Sequence, residues 1–299
     1  MAAGAGGQDV TGAAPGLRVT WLGHSSVVLD VATPDGDVRL VTDPLLRRHA
    51  GLLRRRGVRP AEVWRGADAV LLSHLHHDHA ELGSLRLLGD APVLTAPANA
   101  RWLRAKGLPG VGLGAGPEHD DRPLVGPVPG RPRGPLPASA GSGHGAWHDV
   151  GAHVRVHLTP AVHGHRPMPH RPNAAVGHLV RTDRWTLWAV GDTEAYPGMA
   201  HLPALAGGPV DVALVPVAGW GPRLSGGHLG PVEAAHVCAT VGVRVAIPVH
   251  WGTLHTPGGQ NLPRGWMDHA GAAFAAAVRR WAPGTRAVVL RPGESWDGA

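Results

Sequence analysis

The chain has 299 residues and a formal net charge of +6. That is enough sequence for one large α/β domain or two smaller ones, and too weak a charge to demand a polyanionic partner. Cys238 is the one cysteine, which rules out an intrachain disulfide. The opening residues lack the apolar core of a signal peptide, and no run approaches the ~20 apolar residues of a membrane span. A soluble, cytoplasmic protein is the expectation. The composition is high in Gly (44) and Pro (29), and Lys106 is the one lysine. The arginine excess therefore reads as coding bias rather than as adaptation to nucleic acid.

Residues 1–16 read as a disordered tail. Residues 18–22 and 26–31 read as strands split by Gly23-His24, where His24 reads as structural. Pro34-Asp35-Gly36-Asp37 marks a turn. A third strand over 38–42 ends at Asp43-Pro44, completing a β-meander. Residues 45–60 mix six arginines with four leucines. They read as a solvated loop or helix, with a surface for anionic substrate or lipid head groups as the alternative.

The apolar run Ala69-Val70-Leu71-Leu72 reads as a buried strand. It hands over to Ser73-His74-Leu75-His76-His77-Asp78-His79, which packs imidazoles and a carboxylate in an H-x-H-x-D-H pattern. Imidazole suits zinc and similar metals, and carboxylate adds a hard anionic ligand. Six residues rarely wrap one ion with four ligands, whereas a strand-end turn can present two pairs to two ions. The pattern thus points to a two-metal hydrolytic site.

Helices are expected over 80–88 and 98–106. Residues 109–149 read as a Gly/Pro-rich irregular insertion whose His119, His144 and His148 have no role. Strands follow at 154–159, then 176–181 and 185–190 as a hairpin, then 212–217 and 243–249. Helices are expected over 231–240, closed by Gly242, and over 272–281, with a last strand over 286–290 and a tail over 292–299. Strands followed by helices, twice over, suit two sheets with helices outside.

Three further strand ends carry ligand-type residues: His163 after the strand ending at Thr159, Asp192 within Gly191-Asp192-Thr193, and His250 after Val249. Ligands at like ends of adjacent strands converge on one rim of a sandwich.

The chain resembles the metallo-β-lactamase-fold hydrolases across residues 17–291. The resemblance rests on Trp21-Leu22-Gly23-His24-Ser25-Ser26, Thr42-Asp43-Pro44, the H-x-H-x-D-H motif, Pro160-Ala161-Val162-His163, Gly191-Asp192-Thr193 and His250-Trp251-Gly252-Thr253. His228-Leu229-Gly230-Pro231-Val232-Glu233-Ala234-Ala235 and the stretch from Val249 to Thr253 look most like the branch with ascorbate-6-phosphate lactonases and N-acyl-phosphatidylethanolamine-hydrolysing phospholipase D. The resemblance implies one α/β domain, an αββα sandwich of two mixed sheets with helices on the outer faces.

It also implies roles for residues. His74, His76 and His163 would hold one metal, Asp78, His79 and His250 a second, and Asp192 would bridge them around a shared hydroxide. The expected cofactors are two divalent ions, Zn2+ first, with Mn2+ or Fe2+ compatible because spacing does not fix the metal. Diiron, oxygen- or nitric-oxide-reducing relatives usually have glutamate at the place of His76, so histidine favours hydrolysis. Asp78 is also placed in the catalytic set, with Asp43 as hydrogen-bond acceptor to a ligating imidazole and His228 as substrate contact or proton donor. His165 is out of pattern, His77 is expected to point away, and Trp220, Trp251 and Tyr196 are pocket walls or plain packing.

The expected substrate is a small-molecule or lipid ester: a phosphodiester, a lactone or a related bond. Peripheral membrane contact through residues 45–60 belongs to the phospholipase-like version. A nuclease is the alternative enzyme, disfavoured because no added nucleic-acid-binding domain is visible. A non-catalytic metal-binding protein is the alternative outside enzymes, disfavoured by the full ligand set.

Overall fold

A computed structural model describes residues 16–114, 147–163, 170–172 and 174–298. In chain order its strands and helices are β1 (Leu17–Gly23), β2 (Ser26–Val31), β3 (Val38–Thr42), β4 (His49–Ala50), β5 (Leu53–Arg55), β6 (Ala69–Leu71), α1 (Leu82–Leu87), β7 (Val93–Thr95), α2 (Pro97–Ala105), β8 (Gly110–Gly112) and β9 (His148–Asp149). Then come β10 (Val154–Pro160), β11 (Val176–Thr182), β12 (Thr186–Ala189), α3 (Leu202–Ala206), β13 (Val212–Pro216), α4 (Pro231–Val241), β14 (Val245–Val249), β15 (Leu254–His255), α5 (Ala270–Trp281), β16 (Arg286–Ala287) and β17 (Ser295–Gly298).

Two seven-stranded sheets carry the fold, in the orders β17-β1-β2-β3-β6-β7-β8 and β16-β14-β13-β12-β11-β10-β9. Each follows the same plan. In the first, pairing is antiparallel through β3 and parallel from β3 onward. In the second it is antiparallel from β9 through β12 and parallel from there to β16.

Alternation along the strands builds the layers. Val27, Leu29 and Val31 face the core between the sheets, with Leu17, Val19 and Trp21 from β1 and Val176, Val180 and Ile247 from the second sheet. Opposite-facing residues meet the helices. Val70 and Val93 pack under Leu85 and Leu103 on one side. Trp188, Ala213 and Val215 pack under Ala234, Cys238, Phe274 and Val278 on the other. Strands covered on both faces need apolar residues on both, which is why these runs are nearly continuous. The result is the expected αββα sandwich.

Several boundaries move for local reasons. Helix α1 starts later than the apolar pattern implied because Glu81 caps it, accepting from the backbone N–H groups of Gly83 and Ser84. Helix α4 ends as expected at Gly242, whose φ of 71° is the left-handed conformation that closes a helix.

Other expectations need correction. Residues 292–299 are not simply a tail, because Ser295–Gly298 pairs antiparallel with β1 and Arg18 Nε donates to Asp297 Oδ1 at 2.7 Å. Four residues with one aromatic carry no periodic signal, so only pairing reveals the strand. Residues 45–60 are neither loop nor helix throughout, since β4 and β5 join β15 in a small three-stranded sheet. In that segment Arg55 is buried, while Arg47, Arg48, Arg54 and Leu52 are exposed. Of the 109–149 insertion, β8 and β9 form its ends, and 115–146, with His119 and His144, lies outside the described residues. Residues 1–15 and His165 also lie outside them. Among the described residues no helix is long and apolar enough to cross a membrane.

Phe274 is fully buried between α5 and the second sheet. Phe274→Ala is expected to cost about 3–5 kcal/mol of stability, read from the midpoint of denaturant unfolding. Burial also pushes the Cys238 thiol up to about 12, so a thiol reagent should label it only as the protein unfolds.

Candidate metal centre

The site lies where strand ends from both sheets meet. Asp43 follows β3 and Ser73-His74 follows β6, two strands that pair in parallel. Asp192 follows β12 and His250 follows β14, with β13 between them. β3 and β12 are the strands at which the two sheets change from antiparallel to parallel pairing, and the ends of β3, β6, β12 and β14 line one crevice.

The backbone around the crevice is unusual. Among the described residues, the non-glycine residues with positive φ are His24 (52°), Asp43 (33°) and His250 (64°). Such conformations cost about 1–3 kcal/mol and persist where surrounding contacts enforce them. Here the contacts are direct, as His250 N–H donates to the carbonyl of His24 at 2.8 Å. Gly191, with φ of 69°, sets up Asp192, because a Cβ there would stand 2.6 Å from the carbonyl oxygen of Val176.

The loop after β6 is held from both ends. Arg171 donates to the carbonyl of Leu75 at 2.8 Å and to that of Ala80 at 3.2 Å, with its guanidinium 4.8 Å from the ring centre of Trp102. Arg55 does similar work beside it, donating to the carbonyls of Leu22 and Leu45. No sequence motif flagged either arginine.

The outer nitrogens of the imidazoles are tied to the scaffold. His79 Nδ1 lies 2.8 Å from Asp43 Oδ2, His163 Nδ1 2.8 Å from the carbonyl of Gly227, and His250 Nδ1 2.8 Å from that of Ala218. His74 Nδ1 lies 2.9 Å from Ser73 Oγ, which itself donates to Asp43 Oδ2 at 2.7 Å. Each acceptor fixes Nδ1 as the protonated nitrogen and leaves the Nε2 lone pair facing inward.

Those inward atoms crowd together. His79 Nε2 and His250 Nε2 are 3.1 Å apart, and each is 3.1 Å from Asp192 Oδ2. His163 Nε2 lies 3.0 Å from His76 Nδ1. His24 Nε2 lies 3.1 Å from Asp78 Oδ2, and His228 Nε2 3.3 Å from Asp192 Oδ2. In each of four sets the donor atoms lie within 4.8 Å of one another: His24, Asp78, His79 and His250; His74, His76 and His163; His74, His79 and Asp192; and His163, Asp192 and His228.

The structure brings together all seven residues expected as ligands, in four overlapping sets of which two also hold His24 or His228, and Asp192 belongs to two of them. Asp43 sits behind His79 and His228 beside Asp192. His77 is exposed and faces away. His24, read from sequence as structural, belongs to the cluster. It stands 54 residues before Asp78, and nothing in the local sequence marks the pairing. Trp251 stacks on Trp21 and Tyr196 donates its hydroxyl to the carbonyl of Pro160, so both are packing, whereas Trp220 lines the pocket next to His228.

The electrostatics favour positive charge in the cluster. Burial opposes ionisation of Asp78 and Asp192, yet the surrounding imidazoles hold both carboxyls well below the usual carboxylate range. Burial likewise opposes charge on His79 and His250. The neighbouring carboxylates outweigh it, lifting His79 well above its ordinary value and His250 to about 9. At His163 and His74 burial and the neighbouring imidazoles outweigh the pull of Asp192, pushing His163 down to about 4 and His74 well below its normal range.

These residues fit a divalent metal. His74 Nε2 and Asp192 Oδ1 are buried without a hydrogen-bond partner. Inward lone pairs of His79 and His250 confront each other unless a cation or proton lies between them. Imidazole with carboxylate is a donor set suited to zinc and its neighbours.

Comparisons with known proteins give the family and the fold. Residues 38–251 match the family model described as the beta-lactamase superfamily domain. The chain is 26% identical over 250 residues to a UPF0173 metal-dependent hydrolase of Thermococcus kodakarensis, covering 79% of this chain and 85% of that one. Among solved structures it is similar to Igni18, a metallo hydrolase of Ignicoccus hospitalis, with a TM-score of 0.62, 19% identity and coverage of 94% and 97%. It is also similar to an isothiocyanate hydrolase from Delia radicum gut bacteria, with a TM-score of 0.63, 14% identity and coverage of 93% and 98%.

Asp43→Asn removes the charge behind His79 and keeps the shape. Metal affinity is expected to fall by about 10–100-fold while the circular dichroism spectrum stays that of the wild type, measured by chelator competition.

Proposed function

We propose that this chain, which belongs to the beta-lactamase superfamily and is a metal-dependent hydrolase, works with two divalent ions, zinc first, on a small ester-like substrate such as a phosphodiester or lactone. The observation that carries the two-ion reading is the position of Asp192. Its Oδ2 stands 3.1 Å from both His79 Nε2 and His250 Nε2, while its group also includes His74, and Oδ1 is buried and unpartnered. A carboxylate so placed can serve both ligand groups at once.

His74, His76 and His163 would hold one ion, and Asp78, His79 and His250 the other. When bound, such ions lower the pKa of water and polarise the bond under attack, so no serine or cysteine nucleophile is required. The remaining work falls to the protein. Asp43, Ala218 and Gly227 fix the tautomers of three imidazoles, and Arg171 holds the loop in place.

His228 is placed to assist the leaving group. Its Nδ1 faces the carbonyl of Ser225 at 3.1 Å, and its Nε2 faces the centre. It also lines a surface cleft with Trp220 and Arg223. Arg223 is exposed, and its charge would favour an anionic group on the substrate. The exposed arginines around Leu52 support peripheral contact with an anionic surface as part of the lipid-ester version.

Metal analysis followed by a panel of phosphodiester, lactone, thioester and isothiocyanate substrates tests this reading. Two ions per chain and hydrolysis of an ester-like bond are expected. Asp78→Ala should lower that activity by at least ~100-fold, beyond what loss of an outer hydrogen-bond partner costs. Full metal-dependent activity in this variant would show the site assignment to be wrong. Arg223→Ala should raise KM about tenfold for anionic substrates and leave neutral lactones unchanged.

A further inference from the structure

We propose that His24 is a positioning residue of the metal centre, donating Nε2–H to Asp78 Oδ2 and so orienting that carboxylate, without being a ligand itself. The inference rests on the two-ion reading of the site and adds a residue that the ligand set does not contain.

Three observations carry it. First, His24 is fully buried and its Nε2 lies 3.1 Å from Asp78 Oδ2, a hydrogen-bond distance. The same oxygen lies 3.7 Å from His79 Nε2 and 3.6 Å from His250 Nε2. His24 thus holds the atom of Asp78 that faces the other two donors.

Second, His24 lacks the feature that His79, His163 and His250 share. A ligating imidazole donates its other N–H to a fixed acceptor, which keeps the ligating nitrogen unprotonated. His24 Nδ1 is buried with no hydrogen-bond partner. Nothing therefore reserves Nε2 as a lone pair, and the carboxylate in front of it calls for a proton there. Nδ1 is then an unpaired acceptor.

Third, the backbone of His24 is over-determined in a strained conformation. Its φ is 52°. Its N–H donates to Thr253 Oγ1 at 2.7 Å, and its carbonyl accepts from Trp21 Nε1 at 2.8 Å and from His250 N–H at 2.8 Å. Its ring lies 4.0 Å from that of His250, centre to centre. Three tethers on one strained residue fix where its imidazole points. They also tie that direction to the backbone of an expected ligand.

Two substitutions separate reach from backbone. Asparagine tolerates positive φ but its amide nitrogen sits where Nδ1 does, too short to reach Asp78. Glutamine places its amide nitrogen where Nε2 does. Cobalt(II) is the probe, added to metal-free wild type, His24→Asn and His24→Gln, with stepwise affinities from chelator competition and the visible spectrum recorded. The ion that Asp78→Ala loses marks the affected site.

In His24→Asn that ion should bind about 10–100-fold more weakly, with the other ion changed less than about twofold. His24→Gln should recover most of the loss and show the wild-type cobalt spectrum. The proposal is overturned if His24→Asn loses the ion outright with a changed spectrum that glutamine does not restore, which is a ligand's behaviour. It is equally overturned if both ions weaken together alongside a lower melting temperature, or if neither affinity moves. Wild type binding fewer than two ions would sink the two-ion reading before any variant is compared.

Discussion

Carboxylates and inward-facing imidazole lone pairs have been gathered into a buried space, and the rest of the molecule is arranged around that expense. Burying Asp78 and Asp192 is unfavourable unless positive charge is close. The imidazoles supply it when protonated, and a divalent ion supplies it without protons. The scaffold has already chosen between these. By taking the Nδ1 protons of His79, His163 and His250 on fixed acceptors, it leaves Nε2 atoms that suit metal better than each other. The upward pull on His79 and His250 is the same demand expressed in protons.

The two sheets make this crowding feasible. Each ends its antiparallel part and begins its parallel part beside the crevice, so side chains from β3, β6, β12 and β14 arrive from strands with fixed register. The strands are pinned by a dry core with Trp21, Leu29 and Ile247 at its centre. What the strands cannot fix, arginines do, Arg171 through backbone carbonyls on either flank of the ligand loop and Arg55 through those of Leu22 and Leu45. The strained turns at His24, Asp43 and His250 are where the regular geometry yields to the needs of the site.

The sequence made the centre legible wherever a ligand directly follows an apolar run. His74 after Ala69–Leu72, Asp192 after β12 and His250 after β14 all obey that grammar, and so do the strands carrying them. It could not make the role of His24 legible, because its partner Asp78 is distant in sequence and the Trp21–Ser26 motif marks the family without marking that pairing. Arg55 and Arg171 were hidden by the abundance of arginine, since what distinguishes them is burial against carbonyls. The helix over 80–88 shifted because a glutamate cap competes with the apolar pattern for the start. The strand β17 was invisible because its order derives from β1 and the Arg18–Asp297 pair, not from its own residues.

The pairing of β1 with β17 sets Leu17 opposite Gly298. Among the described strands β1 is made before its edge partner β17 and all the others lie between them, so β1 keeps an open edge while they are made. Joining strands this far apart in sequence is slow, and an unpaired edge invites pairing with other chains meanwhile. The metal centre shares that timetable, since it spans His24 to His250 and needs both sheets. The complete ligand sets therefore exist only after both sheets have come together, so an ion held by all of them seals a sandwich already formed.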